Sequence, residues 1–121
     1  MIKPSDLCQI EIKVKNLTKS ITFYENVFGW KAVPAEIHEV TVLSVPEDCP
    51  FGISLVLDKK ANQTNPSRIT LYYKTNDPEK IIEKAKANGG RLRFGPKELR
   101  GYGTIYQIED PDAQTFGLFS R

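Results

Sequence analysis

Few side chains in this sequence are equipped for chemistry, and their spacing limits what that chemistry can be. Glu11 lies between Gln9 and Lys13 in an alternating stretch, so the three share one strand face. A carboxylate half-buried there beside an apolar ligand has its pKa raised and can serve as acid or base, which makes Glu11 the one weak catalytic candidate. Thr70 and Tyr72 alternate with apolar neighbours and offer a hydroxyl and a phenolic tip. Gln107 and Gly117 look away from the apolar face of the last two strands. His38 is the single histidine and stands near the start of a strand, where an edge or surface position is the commoner outcome. Cys8 and Cys49 have no CxxC spacing, which predicts two reduced thiols rather than a zinc or redox site.

The elements that hold these residues are legible from periodicity. Ile10, Ile12 and Val14 form the apolar face of a first strand. Asn16 or Thr18 caps a helix whose apolar side is Leu17, Ile21, Tyr24 and Phe28, and Gly29 ends it. Trp30–Pro34, His38–Val45 and Phe51–Leu57 read as three strands, with Trp30 and Phe28 expected in the core or at a module junction. The polar stretch 58–67 reads as a linker. The pattern then restarts with Ile69, Leu71 and Tyr73, a helix opened by Asp77-Pro78 and stopped by Gly89-Gly90, and strands over Arg91–Glu98, Gly101–Glu109 and Gln114–Ser120. Between the last two, Asp110-Pro111-Asp112 is the reversal. Tyr106, Phe116 and Leu118 point toward the second helix, leaving Gln107, Thr115 and Gly117 on the other side. Val14 to Gly29 spans the same length as Thr75 to Gly90, and Gln9 and Thr70 keep the same offset, so the chain reads as one βαβββ pattern used twice.

Length and composition set the outer bounds. A chain of 121 residues with 40% hydrophobic residues is enough for one packed domain, residues 1–121. No stretch looks like a signal peptide or approaches the roughly 18 apolar residues of a membrane span, so a soluble cytoplasmic protein without a membrane partner is expected. A net charge of +2 with interspersed signs, and basic clusters no longer than Lys59-Lys60 and Arg91-Leu92-Arg93, argue against nucleic acid.

Three phrases carry a family likeness: IEIKVKNLTKSITFYENVFGW, IEKAKANGG and IEDPDAQTFGLF. Through them nearly the whole chain resembles the vicinal oxygen chelate (VOC) superfamily, which holds glyoxalase I, bleomycin and fosfomycin resistance proteins, extradiol dioxygenases and methylmalonyl-CoA epimerase. The resemblance implies an α+β fold: two βαβββ modules in tandem, about 7–57 and 68–120, forming a curled mixed sheet around a concave pocket with helices on the outer face. It also implies metal-ligand positions on the first and last strands of each module. These fall on Gln9 and Thr70, on Gly117, and on Gly117's counterpart in the first module, Val56 by strict offset or Ser54 if the hairpin differs by two residues. None carries His, Asp or Glu, so no metal and no cofactor are expected. Relatives commonly read DPDGN and then place Glu three residues on. Here Ala113 stands where that glycine would accept positive φ, so the turn either carries roughly 1 kcal/mol of strain or adopts another type, and Gly117 stands in the glutamate slot, its bare side leaving room for a ligand.

The expectation that results is a metal-independent small-molecule-binding protein of the glyoxalase/bleomycin resistance type. Its ligand would sit in the concave pocket and touch Gln9, Glu11, Ser54, Val56, Thr70, Tyr72, Gln107 and Gly117. One alternative is a metal-dependent lyase, isomerase or dioxygenase with noncanonical ligands drawn from His38, Glu11 or Glu109. Another is a non-catalytic dimeric interaction subunit, and a homodimer is expected in any case, since short modules expose strands.

Overall fold

The alternation of Ile10, Ile12 and Val14 produces strand β1, Leu7–Val14. At its end Asn16 takes extended geometry and its Oδ1 accepts a hydrogen bond from the Lys19 amide at 3.0 Å, which starts α1, Leu17–Phe28. Gly29 ends the helix in the left-handed region at φ 74°, which a residue without Cβ reaches freely. The structure, a computed structural model, describes residues 1–34, 40–43, 49–57 and 68–121. His38 and the linker 58–67 lie outside the described residues.

The chain divides into two compact units, Gln9–Ile69 and Met1–Cys8 together with Thr70–Arg121. In the first, β2 (Ala32–Pro34), β3 (Val40–Leu43), β4 (Gly52–Leu57) and β1 follow in that order across a mixed sheet. β1 runs parallel to β4, while β3 is antiparallel to both of its neighbours. Val14, Ile53 and Leu55 are buried under the α1 side chains Leu17, Ile21 and Tyr24, with Ile10, Ile12 and Trp30 around them. One face of β1 and β4 is thereby committed to the helix.

Two expectations shift here. β2 begins at Ala32 rather than Trp30, because the Trp30 amide still donates to the Tyr24 carbonyl at 3.3 Å and belongs to the helix cap. Trp30 then stacks on Tyr24, with centroids 5.7 Å apart and rings 5° from parallel, and joins the core margin as expected. Phe28 does not. It contacts the Trp30 ring and remains 52% exposed at the last position of the helix.

The second unit repeats the plan with β5 (Ile69–Lys74), β8 (Thr115–Ser120), β7 (Gly103–Glu109) and β6 (Arg91–Leu99) in order. β5 is parallel to β8, and the other neighbours are antiparallel. α2, Pro78–Ala87, is opened by Asp77, whose Oδ1 accepts from the Lys80 amide at 3.3 Å, with Pro at its first position. Ile82, Tyr106 and Leu118 form the buried core, flanked by Ile81, Leu92 and Ile108. Phe116 is half-buried and lines a groove of about 180 Å³ at the end of α2, with Ala85, Ile108 and Pro111. The N-terminal arm contributes as well: Ile2 packs on this core, although the arm leads into β1. Among the described residues, no helix is long and apolar enough to cross a membrane.

Candidate functional site

Since odd positions of β1 and even positions of β4 face away from α1, the register assembles the first unit's candidates on one surface. Gln9 lies opposite Gly52, Glu11 opposite Ser54, and Lys13 opposite Val56. The Gln9 amide rests over Gly52, in space that a Cβ at position 52 would need. Glu11 is half-buried and Ser54 is buried. The register also decides between the two counterparts of Gly117. Glu11 pairs with Ser54 as Tyr72 pairs with Gly117, so Ser54 is the matching position and Val56 is one step further along. The reason lies in the hairpins: α1 and α2 start 61 residues apart, whereas β4 and β8 start 63 apart.

In the second unit Leu118, Tyr106 and Ile108 face α2, so Thr70, Tyr72, Gln107 and Gly117 share the opposite face. Gly117 stands between Tyr72 on β5 and Gln107 on β7. The Gln107 Nε2 donates to the Tyr72 hydroxyl at 2.8 Å. The expected space beside Gly117 is taken. The Tyr72 ring lies directly on the glycine, and a Cβ built there would fall inside contact distance of ring atoms Cγ, Cδ1 and Cε1. Tyr72 is only 4% exposed. A glycine that reads as an opening is therefore the seat of an aromatic ring. Thr70 is fully buried on this face, and its Oγ1 finds no hydrogen-bond partner among the described residues. A buried hydroxyl left unpaired is costly, so Thr70 sits here at the expense of stability.

Glu109 must be removed from the set of alternative metal ligands. Its carboxylate is buried and engaged on both oxygens, Oε1 by Arg91 Nε at 2.7 Å and Oε2 by Arg93 Nη1 at 2.8 Å. Hydrogen bonds from Arg91, then Arg93, hold its pKa below the ordinary glutamate value. Alternation in β6 puts Arg91 and Arg93 on one side, and β7 places Glu109 opposite Arg91. The pairing of this exposed basic cluster with a carboxylate is set by the cross-strand register, which the sequence alone does not supply.

The cysteines are both free thiols. Cys8 Sγ donates to the Tyr72 carbonyl at 3.4 Å and burial pushes its pKa up, so it backs the strand that carries Tyr72 and burial disfavours its thiolate.

Divalent metal chemistry needs two or three hard or imidazole donors converging on one point. The positions where the resemblance expects them hold an amide (Gln9), two hydroxyls (Ser54, Thr70) and a glycine covered by a phenyl ring. Among the described residues, no group of three His, Cys, Asp or Glu side chains is placed to hold an ion. This donor set does not fit the metal.

Comparison with known proteins agrees with the repeated plan. Over 118 residues the chain is 28% identical to a lactoylglutathione lyase of Arabidopsis thaliana, an alignment that covers 90% of this chain and 42% of that protein. The chain thus spans about two fifths of the length of that curated relative. Among solved structures, methylmalonyl-CoA epimerase from Mycobacterium tuberculosis superposes with a TM-score of 0.68 at 18% identity, covering 99% of this chain and 92% of that one. A Streptomyces coelicolor methylmalonyl-CoA epimerase in complex with 2-nitronate-propionyl-CoA gives 0.71 at 14% identity, covering 99% and 98%. At such identities the likeness speaks of the fold alone. Residues 7–118 match the family model described as Glyoxalase/Bleomycin resistance protein/Dioxygenase superfamily, and the chain belongs to that superfamily.

Proposed function

We propose that this domain is a metal-independent small-molecule-binding protein of the glyoxalase/bleomycin resistance type. The observation that carries the reading is the donor set at Gln9, Ser54, Thr70 and Gly117, which supplies hydrogen-bonding groups and no strong metal ligand. Gln9, Glu11, Ser54 and Val56 offer ligand contacts on the face of the first unit that α1 leaves free. In the second unit Gln107, half-buried and bonded to the Tyr72 hydroxyl, offers a polar one. The domain acts as a homodimer in this reading. Phe23, Val27 and Phe28 on α1 are each more than half exposed, with Phe23 and Phe28 in ring contact, which supports such a partner.

A thermal-shift screen on chelator-treated protein, with cationic glycopeptides and aromatic metabolites, tests the binding. A saturable rise in Tm that is unchanged by added EDTA is the expected result. A rise that appears only after a divalent ion is added back would overturn the reading. The 28% identity to a lactoylglutathione lyase favours a second reading, a metal-dependent lyase. Turnover of methylglyoxal with glutathione, dependent on about one bound ion per chain in total-metal analysis, would establish it instead.

A further inference from the structure

The second unit does more than lack a carboxylate at position 117. We propose that Tyr72 is a built-in stopper: its ring fills the volume that a side chain at 117 would occupy, so that the unit is closed to a metal ion by packing as well as by composition. The inference deepens the metal-independent reading and takes its functional meaning from it.

Three observations carry it. Gly117 is buried on an ordinary strand backbone, so nothing in its conformation demands glycine. What demands it is the ring, since a Cβ would collide with ring carbons on the rigid body of Tyr72 and not with a flexible tip. The ring in turn is held at its far end, where Gln107 donates to the hydroxyl at 2.8 Å, and on its backbone, where the Cys8 thiol donates to the Tyr72 carbonyl. The tyrosine is therefore held from β7 at its hydroxyl and from β1 at its backbone. Elsewhere in a strand, alanine is preferred to glycine because glycine loses more freedom on folding. The effect of adding one methyl group at 117 thus changes sign with the presence of the ring.

The test is a stability cycle joined to a metal probe. Gly117→Ala is expected to lower the urea midpoint in the wild-type background and in Tyr72→Phe, which keeps the ring without its hydroxyl. In Tyr72→Ala, where the ring is gone, Gly117→Ala is expected to raise the midpoint or leave it unchanged. Equal losses in all three backgrounds would overturn the proposal. If Gly117→Ala with the ring present does not fold while the Tyr72→Ala double variant does, the coupling is shown in its strongest form. On the wild-type protein, Mn²⁺ titration followed by ¹H–¹⁵N spectra is the second readout. The Tyr72, Gln107 and Gly117 amides are expected to show no saturable paramagnetic broadening, and broadening centred on them would overturn the stopper. Saturable broadening centred instead on Gln9 and Ser54 would sink the metal-independent reading while supporting a second unit closed to metal.

Discussion

Ala113 offers a sharp test of how the C-terminal turn is built. It sits at φ 66°, in the left-handed region that favours glycine, and it is exposed, so packing does not confuse the outcome. The turn leaves it no alternative. Asp110 Oδ1 accepts from the amides of Asp112 and Gln114 at 2.9 Å each, and the Ala113 amide donates to the Asp110 carbonyl at 2.9 Å. A residue with a Cβ held there carries about 1–2 kcal/mol of strain. Ala113→Gly removes the strain but gives the unfolded chain more freedom, which returns about 0.4–1 kcal/mol. The net gain spans about 0–1.6 kcal/mol and centres at about 0.8, a rise in Tm of roughly 3 °C at the centre for a chain of this size. Ala113→Val should move the other way, since a branched side chain tolerates this region least. Scanning calorimetry and urea midpoints on the three proteins decide it. A fall in Tm for the glycine variant, or a rise for the valine variant, would refute the idea that the turn stores strain at this residue.

Two further outcomes follow from the second unit. Glu109→Gln should lower the urea midpoint at neutral pH, because two charge-assisted bonds lose their anion. The native pKa of Glu109 is depressed, so its contribution is fully present above the ordinary glutamate value, about 4.3, and is lost as pH falls through the lower native value. The gap between wild type and variant should accordingly be constant from pH 7 to pH 5 and close below about pH 4; a gap that is unchanged down to pH 2 would contradict the pairing. Ile2→Ala should cost about 1–2 kcal/mol, half of a fully buried site, since Ile2 is half-buried against the core of Ile82, Tyr106 and Leu118. Hydrogen exchange should show protection lost first in α2 and β7; loss confined to α1 would mean the arm belongs to the other unit.

The elements were readable in the sequence because each is set by local chemistry. Asn16 and Asp77 cap the helices in the manner their side chains allow, and Gly29 closes α1. Alternation likewise sorted Gln107 and Gly117 from Tyr106 and Leu118, because the pleat alone assigns faces. What alternation cannot supply is the neighbour across a ladder. The choice between Ser54 and Val56 turned on a two-residue difference in hairpin length, which appears only once Glu11 is paired with Ser54. Glu109 between two arginines depends on the β6–β7 register in the same way. Gly117 goes furthest in this direction. Read along the chain, a glycine where a charged residue is expected looks like a gap, but protein interiors are close-packed and a missing side chain is usually answered by a present one. The answer came from another strand, 45 residues earlier, where Tyr72 already stood on the correct face. The glycine at 117 and the ring at 72 therefore have to be read as one feature, a packed site and not an empty one.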